Sequence, residues 1–329
     1  MACVEGGAPL KDLNTVFLGT PEAAVPALRT LVAAGLPPGL VVVPPDRPRE
    51  RGGPSAPCAV RAAAEVLGIP VLATPDVNAA GGVAALHARR PDLLLIVAFG
   101  QILRREVLSL PSLGGLNLHF SLLPRWRGAA PVQRALEAGD ATTGVTVQRV
   151  AAKLDAGAVV ARREVEIEPG ERAGELEDRL ADIGAALLVD VVAHAAETGA
   201  LIEGKPQDAS LVTLAPKVKR EEGAADFSLA PAAFCAKVRA MHPWPLVSAE
   251  FRPAKGKPAR ISFHRVRPGK PSGTRAAPGS VLAAGKDGIE IACGGGSVVL
   301  ETLQRPGGKP LDAAAFLNGF RVAKGDRFA

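Results

Sequence analysis

Tyrosine is absent from the 329 residues, and lysine is scarce in the first half of a chain rich in Ala, Gly, Arg and Pro. That skew is a base-composition signature and carries no function. Four cysteines, Cys3, Cys58, Cys235 and Cys293, stand far apart with no C-x-x-C pair. This argues against a zinc site or a disulfide framework and fits a reducing cytoplasm. The five histidines show no H-E-x-x-H or other ligand spacing, so no metal is expected. No run approaches about 18 apolar residues without a charge, which excludes a membrane-spanning helix of ordinary length. The first fourteen residues lack a long apolar stretch and read as a short extension, not a signal peptide. Neither G-x-G-x-x-G nor G-x-x-x-x-G-K-[ST] occurs, so neither a dinucleotide nor a nucleoside triphosphate is implied.

What remains is a globular composition, 47% hydrophobic and 22% charged, in a chain long enough for two domains. Over the first two hundred residues strand-like and helix-like runs alternate. Strands are expected over 15–18, 40–43, 69–72, 92–98, 115–120, 143–150 and 158–167. Helices are expected over 21–34, with Thr20 as cap, and over 58–67, 77–89, 101–108, 131–138 and 172–197. Such alternation predicts an α/β, doubly wound, mostly parallel Rossmann-like sheet with ligands at the carboxyl ends of its strands. Residues 201–217 read as a linker. Beyond them, one helix (232–241) and five short strand-like runs with Gly/Pro turns suggest a smaller β-barrel. The expected division is an extension (1–14), a catalytic domain (15–200), a linker (201–217) and a C-terminal domain (218–329).

Charge divides along the same line. Residues 1–217 carry 21 Lys and Arg against 24 Asp and Glu, whereas residues 218–329 carry 18 against 9. No acidic residue occurs between Phe251 and Lys286, where Arg252, Lys255, Lys257, Arg260, Arg265, Arg267, Lys270, Arg275 and Lys286 fall. A basic barrel beside an acidic domain reads as a contact for a phosphate backbone.

The chemistry concentrates between residues 117 and 157. In Gly115–Phe120, apolar Leu116, Leu118 and Phe120 alternate with Asn117 and His119, which puts an amide and an imidazole on one face of a strand. Two such donors on one face suit an oxyanion-hole-type site, while Asp155 taken by itself reads as a turn residue.

Asn117, His119, Ser121-Leu-Leu-Pro124, Arg127-Gly-Ala-Ala-Pro131 and Leu154-Asp155-x-Gly157 together resemble the formyltransferases that use 10-formyltetrahydrofolate. The Arg127-Gly-Ala-Ala-Pro131 version is similar to that of the members acting on methionyl-tRNA. Phe17-Leu-Gly-Thr-Pro21, Pro45-Asp-Arg-Pro48, Val97-Ala-Phe-Gly100, Lys219-Arg-Glu-Glu-Gly223 and Pro243-Trp-Pro245 extend the resemblance over most of the chain. It implies catalysis by Asn117, His119 and Asp155. It also implies a folate pocket lined by Ser121, Leu122, Leu123, Pro124, Phe99 and Gly100, with Phe99 where the family usually has Tyr. The loop bearing Arg47, Arg49 and Arg51 would enter the tRNA acceptor stem, although the lysines usual downstream are replaced by Gly53, Pro54, Ser55 and Ala56. Lys153 stands in place of a usual Gly and Ala158 in place of a common Asp. The C-terminal barrel would be OB-like, with Lys255, Lys257 and Arg260 on tRNA. The implied partners are initiator methionyl-tRNA and a folate co-substrate, with no prosthetic group, no metal, no membrane and a monomeric enzyme. A formyltransferase acting on a glycinamide ribonucleotide or an amino sugar nucleotide is the rival within the family. A non-catalytic RNA-binding protein is the rival outside it, and the intact Asn117/His119/Asp155 trio weighs against that.

Overall fold

In a computed structural model the chain is described over residues 13–48, 54–254, 256–270 and 276–329. The expected N-terminal extension lies almost wholly outside these residues, as do Arg49, Arg51 and Lys255. The chain forms two compact units. Residues up to 128, 142–166 and 177–214 make the first; 129–141, 167–176 and 215–329 make the second.

The first unit is built on one sheet. Its strands are β1 (Thr15–Gly19), β2 (Leu40–Val43), β3 (Val71–Ala73), β4 (Leu93–Val97), β5 (Gly115–His119), β6 (Thr142–Arg149) and β7 (Val159–Glu166). They lie in the order β7-β6-β5-β4-β1-β2-β3. β1 pairs in parallel with β2 and β4, β2 with β3, and β4 with β5, whereas β6 and β7 run antiparallel. The central strands are buried on both faces, which is why they read as unbroken apolar runs: Val16, Phe17, Leu18, Leu93, Leu94 and Leu95 are fully buried. The chain leaves β1 toward β2 and β3, then returns to the other side of β1 as β4. That reversal is the switch point at which such sheets take ligands, at the carboxyl ends of β1, β4 and β5.

Three local expectations differ from the structure. Thr20 does not cap; Pro21 precedes a short 3-10 turn, Glu22–Ala24, and the α-helix begins only at Val25. The helix expected from residue 77 starts at Ala80, because Asp76, Val77 and Asn78 form a turn fastened by the Gln101 side chain on the Val77 N–H. For the same reason the helix expected over 101–108 shrinks to Arg105–Leu108: Asn78 Oδ1 takes the Arg104 N–H and holds the preceding stretch extended. The stretch read as a linker, 201–217, is ordered by hydrogen bonds, with a 3-10 turn at Ala209–Leu211 capped by Asp208.

The helix Ala173–Thr198 reaches β5 through Gly184, whose missing side chain leaves room for Leu118. Leu116 and Leu118 thus face the core, and Asn117 and His119 are turned to the opposite face.

In the second unit, strands Val281–Gly285, Gly288–Cys293, Gly296–Gln304, Ala259–Pro268, Val247–Arg252 and Arg327–Phe328 follow one another antiparallel. A bridge from Ser280 to Arg327 brings the two ends together into a barrel. Its interior is aromatic. Phe227 stacks on Phe234 at 5.0 Å, and Phe251 and Phe263 pack on Phe328 at 5.1 and 5.7 Å. Phe234 comes from the helix Pro231–Ala240. In the Lys219–Gly223 turn, Glu222 accepts from Arg134 and from the Lys219 N–H, which gives that one charge of the motif a structural role.

Candidate active site

Asp155 is the centre of a convergent set of donors. Its Oδ1 accepts from Asn117 Nδ2 at 3.2 Å and from Gln148 Nε2 at 3.1 Å, and its Oδ2 accepts from the Gly128 N–H at 2.9 Å. The side chain is only 7% exposed. Three N–H groups on one buried carboxylate satisfy it without a cation, as a buried charge requires. The backbone at Asp155 lies in the left-handed region, φ 48°. Two residues on, Gly157 has no room for a side chain, since a Cβ there would collide with the Arg149 carbonyl. Together the two conformations turn the end of the β6–β7 connection back onto β5.

His119 is held from its far side. Nε2 lies 2.9 Å from the Trp126 carbonyl oxygen, which can only accept, so Nε2 carries a proton and Nδ1 faces Asp155 at 3.8 Å. The ring is therefore oriented by the Trp126 carbonyl and not by the carboxylate.

The Ser121–Pro124 segment leaves the carboxyl end of β5. The Ser121 hydroxyl donates to the Arg125 carbonyl at 2.7 Å, while Thr146 on β6 donates to the Ser121 carbonyl and accepts the Leu123 N–H. Ser121 and Leu123 are buried, so Leu122 and Pro124 are the members with surface to offer. At the end of β4, Phe99 packs against the core beneath it, whereas Ala98 and Gly100 are exposed and nothing lies within 4 Å of where a Gly100 side chain would sit.

The Arg127-Gly-Ala-Ala-Pro131 stretch does three things. Arg127 donates from Nε and Nη2 to Gln207 Oε1 at 3.0 and 2.7 Å, Gly128 donates to Asp155, and Pro131 opens the next helix. Among the described residues no group of three or more His, Cys, Asp or Glu could hold a metal ion, and no helix is long and apolar enough to cross a membrane.

Two family models match in sequence order: a formyl transferase model over residues 50–192 and a formyl transferase C-terminal domain model over 217–321. A methionyl-tRNA formyltransferase from Ralstonia nicotianae is 43% identical over 327 residues, covering 96% of this chain and 98% of that one. The chain belongs to the methionyl-tRNA formyltransferase family. Its Geotalea uraniireducens member is 40% identical over 316 residues, covering 96% of this chain and 98% of its own length. The fold is shared more widely. The N-formyltransferase of Helicobacter canadensis, solved with folinic acid and dTDP-3-aminofucose, superposes with a TM-score of 0.61 at 15% identity, covering 89% of this chain and 99% of that one.

Against this family background, the structure brings Asn117, His119 and Asp155 together within the first unit. Arg47 is exposed on a two-residue strand paired with Ser55–Ala56. Lys257 and Arg260 are exposed on the second unit, where Arg260 donates to Ser248. Within that basic stretch Arg252 pairs with Glu250, Arg265 with Glu175 and Arg267 with Glu301, so part of its charge is balanced locally. Sequence reasoning missed Thr146, Gln148, Gln207 and Thr213. For the first two a signal existed, polar residues at 146 and 148 alternating with Val145 and Val147. For the last two there was none.

Proposed function

We propose that the protein transfers the formyl group of 10-formyltetrahydrofolate to the α-amino group of methionine on initiator methionyl-tRNA. The observation that carries this reading is the buried Asp155 carboxylate, held beside Asn117 and His119 at the carboxyl end of β5. The near full-length likeness to methionyl-tRNA formyltransferases supports the substrate.

The folate co-substrate supplies an electrophilic formyl carbon. Asn117 Nδ2 has two N–H groups; one is donated to Asp155, and the other is free for the oxygen that becomes negative as the amine adds to that carbon. His119, neutral with its proton on Nε2, has Nδ1 open to receive the amine's proton, and once charged it offers that oxygen a second donor. The amine nitrogen forms its bond to carbon and loses a proton to the Asp155–His119 pair. The carbonyl then re-forms, the bond from carbon to the folate nitrogen breaks, and that nitrogen takes the proton. Asp155 stays an acceptor throughout, and the Trp126 carbonyl keeps the imidazole in one tautomer.

In this reading Leu122, Pro124 and Gly100 face the folate, with Ser121, Leu123 and Phe99 shaping the walls from behind. Residues 15–200 carry the chemistry and 218–329 bind tRNA, with Lys255, Lys257 and Arg260 on its backbone. Arg47, Arg49 and Arg51 contact the acceptor stem. The test is incubation with 10-formyltetrahydrofolate and charged initiator or elongator methionyl-tRNA, scoring formyl-methionine. Formylation confined to, or much faster on, the initiator is the expected result. No formyl-methionine on either would overturn the proposal.

A further inference from the structure

Residues 193–216 fall between the two family models and include all but the last residue of the stretch that the sequence presents as a plain linker. The structure ties this stretch to the site at three places in nine residues. Lys205 exchanges both backbone hydrogen bonds with Val159, each 2.8 Å, and Gly204 beside it allows close approach to Ala158. Gln207 Nε2 donates to the Asp155 carbonyl at 2.9 Å and to the Gly157 carbonyl at 2.7 Å, while its Oε1 accepts the Arg127 guanidinium. Thr213 Oγ1 accepts the Trp126 N–H at 2.9 Å, and the Thr213 carbonyl accepts the Arg127 N–H at 2.9 Å.

These contacts fall on the backbone of Asp155 and on that of Trp126, whose carbonyl holds His119. Asp155 sits at φ 48°, a conformation that is strained for a non-glycine residue and persists only where its surroundings over-determine it. Gln207 supplies such a constraint on the carbonyls to either side of the Ala156 link, at Asp155 and Gly157. Trp126 is likewise left-handed, φ 64°, and its carbonyl is the one that fixes His119. Thr213 holds that residue by its N–H. One segment therefore braces both left-handed residues, and through them the carboxylate and the imidazole.

We propose that Gln207 and Thr213 are positioning residues for formyl transfer, which makes residues 205–213 a strap of the active site and not a tether between domains. The proposal rests on the formyltransferase reading of the same site. Neither residue reaches the reacting atoms; each acts through the backbone of Asp155 or Trp126. A displacement of about 1 Å at such a centre lowers turnover on the order of 10–100-fold.

The experiment compares Gln207→Ala, Gln207→Glu, Thr213→Val and Thr213→Ser with the wild-type chain, using initiator methionyl-tRNA and 10-formyltetrahydrofolate. Expected are kcat losses of roughly 10–100-fold in Gln207→Ala and Thr213→Val, with KM for both substrates within about 2-fold. Gln207→Glu keeps the acceptor for Arg127 but loses both donated bonds, so it should fall with the alanine variant. Thr213→Ser keeps the hydroxyl and should be restored to near wild-type turnover. Any variant that loses its native circular dichroism is judged by its partner at the other position. Wild-type kcat in a folded Gln207→Ala or Thr213→Val overturns the proposal, as does a loss confined to KM for tRNA, or a Thr213→Ser no better than Thr213→Val. A wild-type chain that forms no formyl-methionine defeats the underlying function instead, so the two failures are distinguishable.

Discussion

The two units solve the problem of a core with different materials. The first fills both faces of its sheet with Val, Leu and Ala, each contributing a little in many places. The second closes a small barrel around a few large rings: seven of the chain's ten Phe lie at or beyond Phe227, and all seven belong to one contacting set of 227, 234, 251, 263, 316, 320 and 328. A sheet extended by parallel strands needs thin, branched side chains that pack under helices. A short barrel has little interior, and aromatic rings fill it with the fewest residues. The contrast predicts that the second unit's stability is concentrated in single side chains, whereas the first unit's is spread. Charge divides near the same place, with 21 Lys and Arg against 24 Asp and Glu up to residue 217 and 18 against 9 beyond it.

The sharpest way to break this contrast uses the two tryptophans, Trp126 in the first unit and Trp244 in the second. Phe263→Ala should cost the barrel about 3–5 kcal/mol, read by Trp244 fluorescence during denaturation in a Trp126→Phe background. Trp126 fluorescence in the complementary background should move less. Equal shifts at both would mean that the units unfold as one and that core composition does not localise stability.

Function should divide as unevenly as packing. Asn117→Ala should reduce kcat by roughly 10² or more, about 3 kcal/mol, while the first unit loses only its one hydrogen bond to Asp155 and the second unit's melting is unchanged. Near-normal turnover in single-turnover assays would remove Asn117 from the chemistry.

A third prediction concerns acid. Burial, followed by the neighbouring Arg172 and His264, pushes His242 down to about 4, with Glu175 opposing and Arg265 adding to the effect. An unfolded chain protonates this histidine near its ordinary value of 6.5, whereas the folded barrel refuses the proton. The contribution is therefore neutral above about 6.5, and stability is lost as pH falls from there toward 4. Denaturation at stepped pH should show that decline, and His242→Asn should flatten it. An unaltered decline in the variant would assign it to other groups.

The smallest effect belongs to the basic surface. Lys257→Ala with Arg260→Ala should weaken tRNA binding modestly and lower the slope of log K against log salt by about two, one counterion for each lost phosphate contact. An unchanged slope would return both residues to the role of solvated charge, like Arg252 beside Glu250.

How much of this was legible follows from where each signal is written. The period-two pattern of Leu116, Asn117, Leu118 and His119 is local, so the strand and its polar face could be read directly. The parallel core strands announced themselves as apolar runs. Strand direction was not legible in β6 and β7, because an antiparallel return needs no pattern different from a parallel one. Helix starts were misjudged where side chains such as Gln101 and Asn78 took backbone N–H groups and held the chain out of the helix. Gln207 lay beyond reading altogether: its partners Arg127, Asp155 and Gly157 are 50 to 80 residues away, and nothing in its own neighbourhood marks it. The trio of Asn117, His119 and Asp155 was found through a recurring motif, but what holds it in place was visible only in three dimensions.

The left-handed backbone at Asp155 has a bearing on what substitution there can reveal. Aspartate and asparagine are among the few residues with a side chain that tolerate this region, whereas alanine does not gain their local hydrogen bonds and glycine is freed from the strain entirely. An alanine at this position would alter the turn as well as remove the carboxylate, and a glycine would loosen it. Asparagine alone keeps the loop's geometry while deleting the charge. Position 155 thus filters its occupants twice, once by conformation and once by chemistry, and of the residues that pass the first filter only aspartate brings a carboxylate to the second.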